Sequence, residues 1–162
     1  MVTSGNDDVL CFYEINKRDL KKKLFNRKFG CENAIFIHNS KAILCSSKTD
    51  FRIMYWNLHN NEILYSFLGH SDKITDININ PLNDLFLTTS ADNTSRLWDL
   101  TKRECLCIFQ DSNHAAFDNT GKVIASVTFE TDKNSDKITN YINLYAVDTV
   151  TQGPFKVNLI IL

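Results

Sequence analysis

The sequence predicts an all-β protein built from repeats. Three observations carry that prediction. An aromatic residue recurs on strand-like runs, an aspartate recurs in step with it, and short β-rich runs alternate with turn residues about every ten positions. The aromatic residues are Tyr13, Trp56, Trp98 and Tyr145, separated by 43, 42 and 47 residues. Each sits at the fifth position of a mostly apolar segment: 9–15, 52–58, 94–100 and 141–147. Six residues before the aromatic lie Asp7, Asp50 and Asp92, with Thr139 in the fourth unit. Ten residues before it lie Ser46 and Thr88.

The remaining elements follow in chain order. Runs rich in Ile, Leu, Val, Phe and Thr cover 34–38, 42–45, 63–67, 74–79, 85–89, 105–109 and 123–129, and read as strands. Asn39-Ser40-Lys41, residues 80–84 and Asp118-Asn119-Thr120-Gly121 punctuate them as turns. That spacing gives four strands to a unit of about 43 residues. Helical periodicity is absent, with a short turn allowed over Asp19–Leu24. The polar stretch 130–137 reads as a surface-loop insertion that lengthens the last interval.

Composition narrows the function classes. The 162 residues carry 18 Lys+Arg against 19 Asp+Glu and are 43% hydrophobic, which suits a soluble globular domain and excludes a generally basic nucleic-acid binder or polybasic membrane protein. No apolar run approaches the ~18 residues of a membrane helix, and residues 1–8 do not resemble a secretory signal. Cys11, Cys31, Cys45, Cys105 and Cys107 are odd in number and read as reduced thiols of the cytosol or nucleus. His38, His59, His70 and His114 show no metal-binding spacing, and no phosphate loop or Gly-x-Ser-x-Gly elbow is present. No catalytic residue, cofactor, metal or small-molecule substrate is expected.

Gly69-His70, then Asp92, then Trp98-Asp99 form a constellation that resembles the WD-repeat family of β-propellers. The resemblance implies blades of four antiparallel strands. It also implies a structural hydrogen-bonded tetrad of His70, Thr88, Asp92 and Trp98, with Ser90 as the alternative to Thr88. The second unit keeps a partial tetrad, Ser46, Asp50 and Trp56, with Phe29-Gly30 in place of Gly-His. Ser/Thr, His and Asp together could suggest a hydrolase triad, but the missing oxyanion loop favours the structural role.

Segments 58–63, 67–71, 80–86, 95–100 and 153–155 further resemble the WD-repeat subunits of COMPASS histone lysine methyltransferases, as does the inter-blade segment 24–30. Such subunits also serve cleavage-and-polyadenylation machinery in fungi and a protein phosphatase 1 complex in animals. The resemblance implies a nuclear, non-enzymatic adaptor whose partners are a SET-domain methyltransferase, phosphatase or polyadenylation subunits, and the phosphorylated RNA polymerase II tail. The alternatives are a substrate receptor of a cullin ubiquitin ligase and a generic interaction propeller. A Trp-Asp-x-Arg ending would favour the receptor, but Thr101 follows Leu100 and the basic residues come at Lys102 and Arg103.

Positional analogy offers Asp72, Lys73, Arg96 and Asn113 as solvent-facing partner residues. Lys17, Arg18, Lys21, Lys22, Lys23, Arg27 and Lys28 are offset only by Asp19, and read as a solvated basic loop or as a surface for an acidic partner. The expected organisation is one partial propeller of about three and a half blades out of a seven-bladed ring. It comprises a blade remnant over about 7–28, blades over about 29–68, 69–110 and 111–150, and the start of the next strand at 151–162.

Overall fold

The computed structural model describes residues 1–5, 7–38, 41–131 and 138–160. They form two compact units, Met1–Ile77 and Asn78–Leu162. The first unit contains a three-stranded antiparallel sheet of β1 (Val2–Ser4), β2 (Val9–Glu14) and β3 (Asp19–Phe25), in that spatial order. It also holds a four-stranded sheet of β4 (Glu32–Phe36), β5 (Ala42–Ser46), β6 (Ile53–Asn57) and β7 (Glu62–Phe67). The boundary between units falls inside β8 (Ile74–Ile79), which joins β9 (Leu85–Ser90), β10 (Thr94–Asp99) and β11 (Glu104–Gln110) in a third sheet. The fourth sheet is β12 (Ser112–Phe117), β13 (Val123–Thr131), β14 (Ile138–Ala146) and β15 (Lys156–Ile160), with a 3-10 segment Val147–Gln152 before β15.

The all-β prediction holds, and each of the seven strand-like runs and four aromatic segments coincides with a strand to within one or two residues. Three expectations change. Residues 19–25 form β3 rather than a helical turn or loop; the strand pairs with β2 along its length and buries only Leu24. Residues 2–4 pair with β2, so the first sheet begins before residue 7. The strand expected after residue 150 is present at 156–160, and because it pairs with β14 the fourth sheet runs past the expected boundary at 150. Residues 132–137 of the expected insertion and residues 161–162 lie outside the described residues.

The repeat is a repeat of backbone geometry as well as sequence. In each of the first three sheets a register shift, a β-bulge, falls immediately before the recurring aromatic: Phe12/Tyr13, Tyr55/Trp56 and Leu97/Trp98. Five residues after the aromatic, the hairpin turns through a left-handed residue: Arg18 (φ 56°), Asn61 (φ 57°) and Arg103 (φ 62°). The residue after the recurring aspartate is left-handed too: Asp8 (φ 60°), Phe51 (φ 56°) and Asn93 (φ 61°).

Alternation places the core. In β2, Leu10 and Phe12 are buried two residues apart, as a strand with one covered face requires. They join Leu24, Cys31, Ile43, Cys45, Met54 and Trp56 in the core of the first unit, where Phe12 and Phe36 meet edge-on at 6.0 Å. In the second unit Leu87, Leu97, Phe109, Ala115, Ile124 and Val150 form the core, and Phe109 meets Tyr145 edge-on at 4.8 Å. Each Leu, Ile, Val, Phe or Met side chain among them taken fully out of water contributes about 1.5–3 kcal/mol.

Candidate functional site

The residues marked by the repeat serve the turns and the sheet interior. Trp98 lies opposite Phe86 in the β9–β10 register, and its indole nitrogen donates at 2.9 Å to the hydroxyl of buried Thr88, two residues along β9. Asp92 receives the Thr94 amide at 2.9 Å and the Thr94 hydroxyl at 2.7 Å, and its own amide donates to Ser90 Oγ at 3.2 Å. These bonds close the turn around left-handed Asn93. Asp99, the partner of Trp98 in the dipeptide, performs the same service one turn later. Its carboxylate accepts from the Thr101 amide at 2.8 Å and the Lys102 amide at 3.0 Å. Burial pushes the Asp99 pKa up, but the Thr101 hydroxyl, these amides and the Lys102 charge outweigh it, so the carboxyl is held below its ordinary value. His70 is buried.

The second sheet departs from the residue-by-residue expectation. Trp56 lies opposite Ile43, so the residue that takes the place of Thr88 is Cys45, not Ser46. The cause is one extra residue in the turn: Asp50 sits three residues after Ser47, whereas Asp92 sits two after Ser90. Both serines accept their aspartate's amide, which identifies them as equivalent. Ser46 instead bonds the Glu32 carbonyl at 3.1 Å and accepts from Asn33 at 3.3 Å. The Trp56 indole N–H is buried without a hydrogen-bond partner among the described residues. Cys45 is fully buried, and its thiol is held well above its usual pKa by the hydrogen bond to Cys31, by burial and by the Cys31 charge. Asp50 binds the Arg52 guanidinium, while its other carboxylate oxygen is buried without a partner.

The candidate partner residues differ in what they offer. Asp72 and Lys73 are exposed before β8; the Asp72 carboxylate accepts the Lys73 amide at 2.6 Å, and the Lys73 ammonium pairs with Glu32 at 3.0 Å. Asn113 is exposed beside the bulge of β12. Arg96 is not the solvent-facing residue expected: it is half-buried on β10 opposite Ile108, and its Nε is enclosed without a partner. Lys21, Lys22 and Lys23 are exposed in succession along β3. Lys22 donates to the Leu58 carbonyl at 2.7 Å. Lys21 and Lys22 line a cleft of about 460 Å³ with Phe12, Tyr13, Phe36 and Leu58. Beyond β3, Phe29 is flanked by Lys28 and Arg52, whose charges lie 4.9 and 4.5 Å from the ring centre. Sequence spacing missed that cluster because Arg52 arrives from another hairpin. Among the described residues, no three His, Cys, Asp or Glu side chains are placed to hold a metal ion.

Four antiparallel sheets of three or four strands, with a bulged aromatic and aspartate-closed turns recurring between them, define a β-repeat protein of the propeller-blade class. Residues 61–99 match the family described as WD domain, G-beta repeat, and the chain is a WD40-repeat protein. It is 32% identical over 160 residues to COMPASS component SWD2 of Saccharomyces cerevisiae, a match covering 97% of this chain and 46% of that protein. It is 33% identical over 158 residues to WD repeat-containing protein 82 of Drosophila melanogaster, covering 96% and 47%. The Set1 complex component swd2 of Schizosaccharomyces pombe is 33% identical over 158 residues, covering 96% and 42%. The chain therefore spans less than half the length of these relatives.

Proposed function

We propose that this chain serves as a non-enzymatic adaptor in a COMPASS-type histone lysine methyltransferase complex, in the nucleus and alongside transcription by RNA polymerase II. The observation that carries the reading is the 32–33% identity that runs through 96–97% of the chain to proteins named as COMPASS and Set1 complex components. The geometry supports an adaptor role. Of the side chains that could suggest a triad, Thr88 accepts from the Trp98 indole at 2.9 Å and Asp92 accepts from the Thr94 amide and hydroxyl. Surface loops and strands on a rigid β scaffold are suited to binding other proteins. Catalysis then belongs to a SET-domain partner, and phosphatase or polyadenylation subunits are further candidate partners. Affinity purification of the tagged chain from nuclear extract, followed by mass spectrometry, tests this. Recovery of a SET-domain methyltransferase is the expected result, and recovery of none of these partner classes would sink the reading.

A further inference from the structure

Among the described residues strand β3 is an outer strand paired with β2 alone, so its other side presents a row of main-chain N–H and C=O groups. Every residue of β3 except Leu24 is exposed. Between residues 17 and 28 the chain carries seven basic residues and one acid, Asp19. Lys17 is paired with Glu14, Lys22 with the Leu58 carbonyl, and Lys28 with the Phe29 ring. Lys21 and Lys23 have no ion-pair partner among the described residues. Exposed Leu20 and Phe25 bracket them, and the Phe12, Phe36 and Leu58 cleft opens beside Lys21.

Lysines on a sheet edge commonly guard it against self-pairing. Outer-strand position alone does not demand them here, because β7 (EILYSF) and β11 (ECLCIFQ) end their sheets without a lysine. A basic, exposed edge repels another copy of itself and favours a strand of opposite charge.

We propose that β3 is a docking edge for an extended acidic segment of a partner protein. The segment adds as a further strand through main-chain hydrogen bonds, sets carboxylates against Lys21 and Lys23, and places an apolar side chain in the cleft. Main-chain pairing supplies affinity in such strand addition, and alternate side chains supply specificity. The inference stands apart from the assignment to any complex, since it depends on the edge and its charge alone.

The test is fluorescence polarisation with the 162-residue chain and a labelled peptide of about nine residues alternating Glu and Val. A second peptide has the same sequence, with N-methyl groups on alternate amides. The paired substitutions Lys21→Glu and Lys23→Glu should weaken binding about tenfold or more. N-methylation should weaken it similarly, because it removes donors and leaves charge intact. Lys102→Glu should leave binding unchanged. No binding to the unsubstituted chain overturns the proposal. So does equal binding of the N-methylated peptide, which would mean charge attraction alone. Displacement by a short RNA as readily as by unlabelled peptide overturns it in favour of a general anion surface. Circular dichroism verifies the fold of the substituted chain, and the N-methyl arm decides the question without any substitution.

Discussion

Trp98 and Thr88 form a buried indole-to-hydroxyl hydrogen bond of 2.9 Å across β9 and β10, and the second sheet places Trp56 diagonally from Cys45 where that acceptor would be. A thiol is a weak acceptor, which accounts for the unpartnered Trp56 N–H. One sheet thus carries the polar tie of the repeat, and another carries the same strand register without it.

Thr88→Val should therefore destabilise the chain by about 1–3 kcal/mol, since it keeps the side chain's shape and orphans the Trp98 donor. Urea unfolding followed by tryptophan fluorescence measures the difference. A change below a few tenths of a kcal/mol would show that the bond contributes nothing net.

The reciprocal change is Cys45→Ser. A hydroxyl at this position gives Trp56 the acceptor that Trp98 has, and it should raise stability by up to about 1 kcal/mol. The urea midpoint checks it. A drop would show that the thiol's packing against Cys31 outweighs the new bond.

Gly121 should not tolerate a side chain. Its φ is +64°, and a Cβ there would run into Asn80 Oδ1. Asn80 is fully buried and donates to the Gly121 carbonyl at 2.7 Å, so it has no room to retreat. Gly121→Ala should cost more than about 1 kcal/mol, seen as a lower thermal midpoint. An unchanged midpoint would mean that the Asn80 tie is dispensable.

What the sequence made legible was whatever repeats by type. The column Asp7, Asp50, Asp92 marks turns in which the next residue is left-handed, and Asp7 and Asp92 each receive the amide two residues on. The aromatic column marks the bulges. Elements without apolar alternation were hidden. β3 buries only Leu24 among lysines, and β12 (SNHAAF) is half polar and buries a serine, Ser112, as well as Ala115. Counting back from Trp56 chose Ser46 over Cys45 because sequence spacing does not register an extra turn residue, whereas strand register does. Positional analogy offered Arg96 as solvent-facing, whereas its side chain is half-buried with Nε enclosed.

Ser112 links two strands from different sheets of the second unit: its hydroxyl lies 2.8 Å from Ser95 Oγ and 2.8 Å from Ser126 Oγ, and all three residues are fully buried. Ser112→Ala should cost about 1–3 kcal/mol, because it takes the Ser126 hydroxyl's partner and leaves Ser95 only the Ser112 carbonyl at 3.3 Å. Replacing all three with alanine should cost less than the sum of the single losses, because no orphaned hydroxyl remains. Additive losses in the full mutant cycle would show that the three act independently.

Acid should loosen the second unit through Asp118. The Thr120 hydroxyl, the Val123 amide, and the Thr120 and Lys122 amides all donate to its carboxylate, and they lower its pKa to about 2. In the unfolded chain an aspartate titrates near about 3.9. A depressed folded pKa means that the unfolded state takes up the proton first. The contribution is therefore complete above about pH 4 and declines as pH falls towards about 2. Asp50 and Asp99, also held below their ordinary values, add to the loss in the same direction. Urea midpoints measured from pH 6 down to pH 2 should fall for the native chain. Asp118→Asn removes the titrating group, so its midpoint should lie below the native one at pH 6 and approach it as pH nears 2. A gap between the two chains that stays constant over the whole range would show that the Asp118 turn works through its hydrogen-bond geometry and not through its charge.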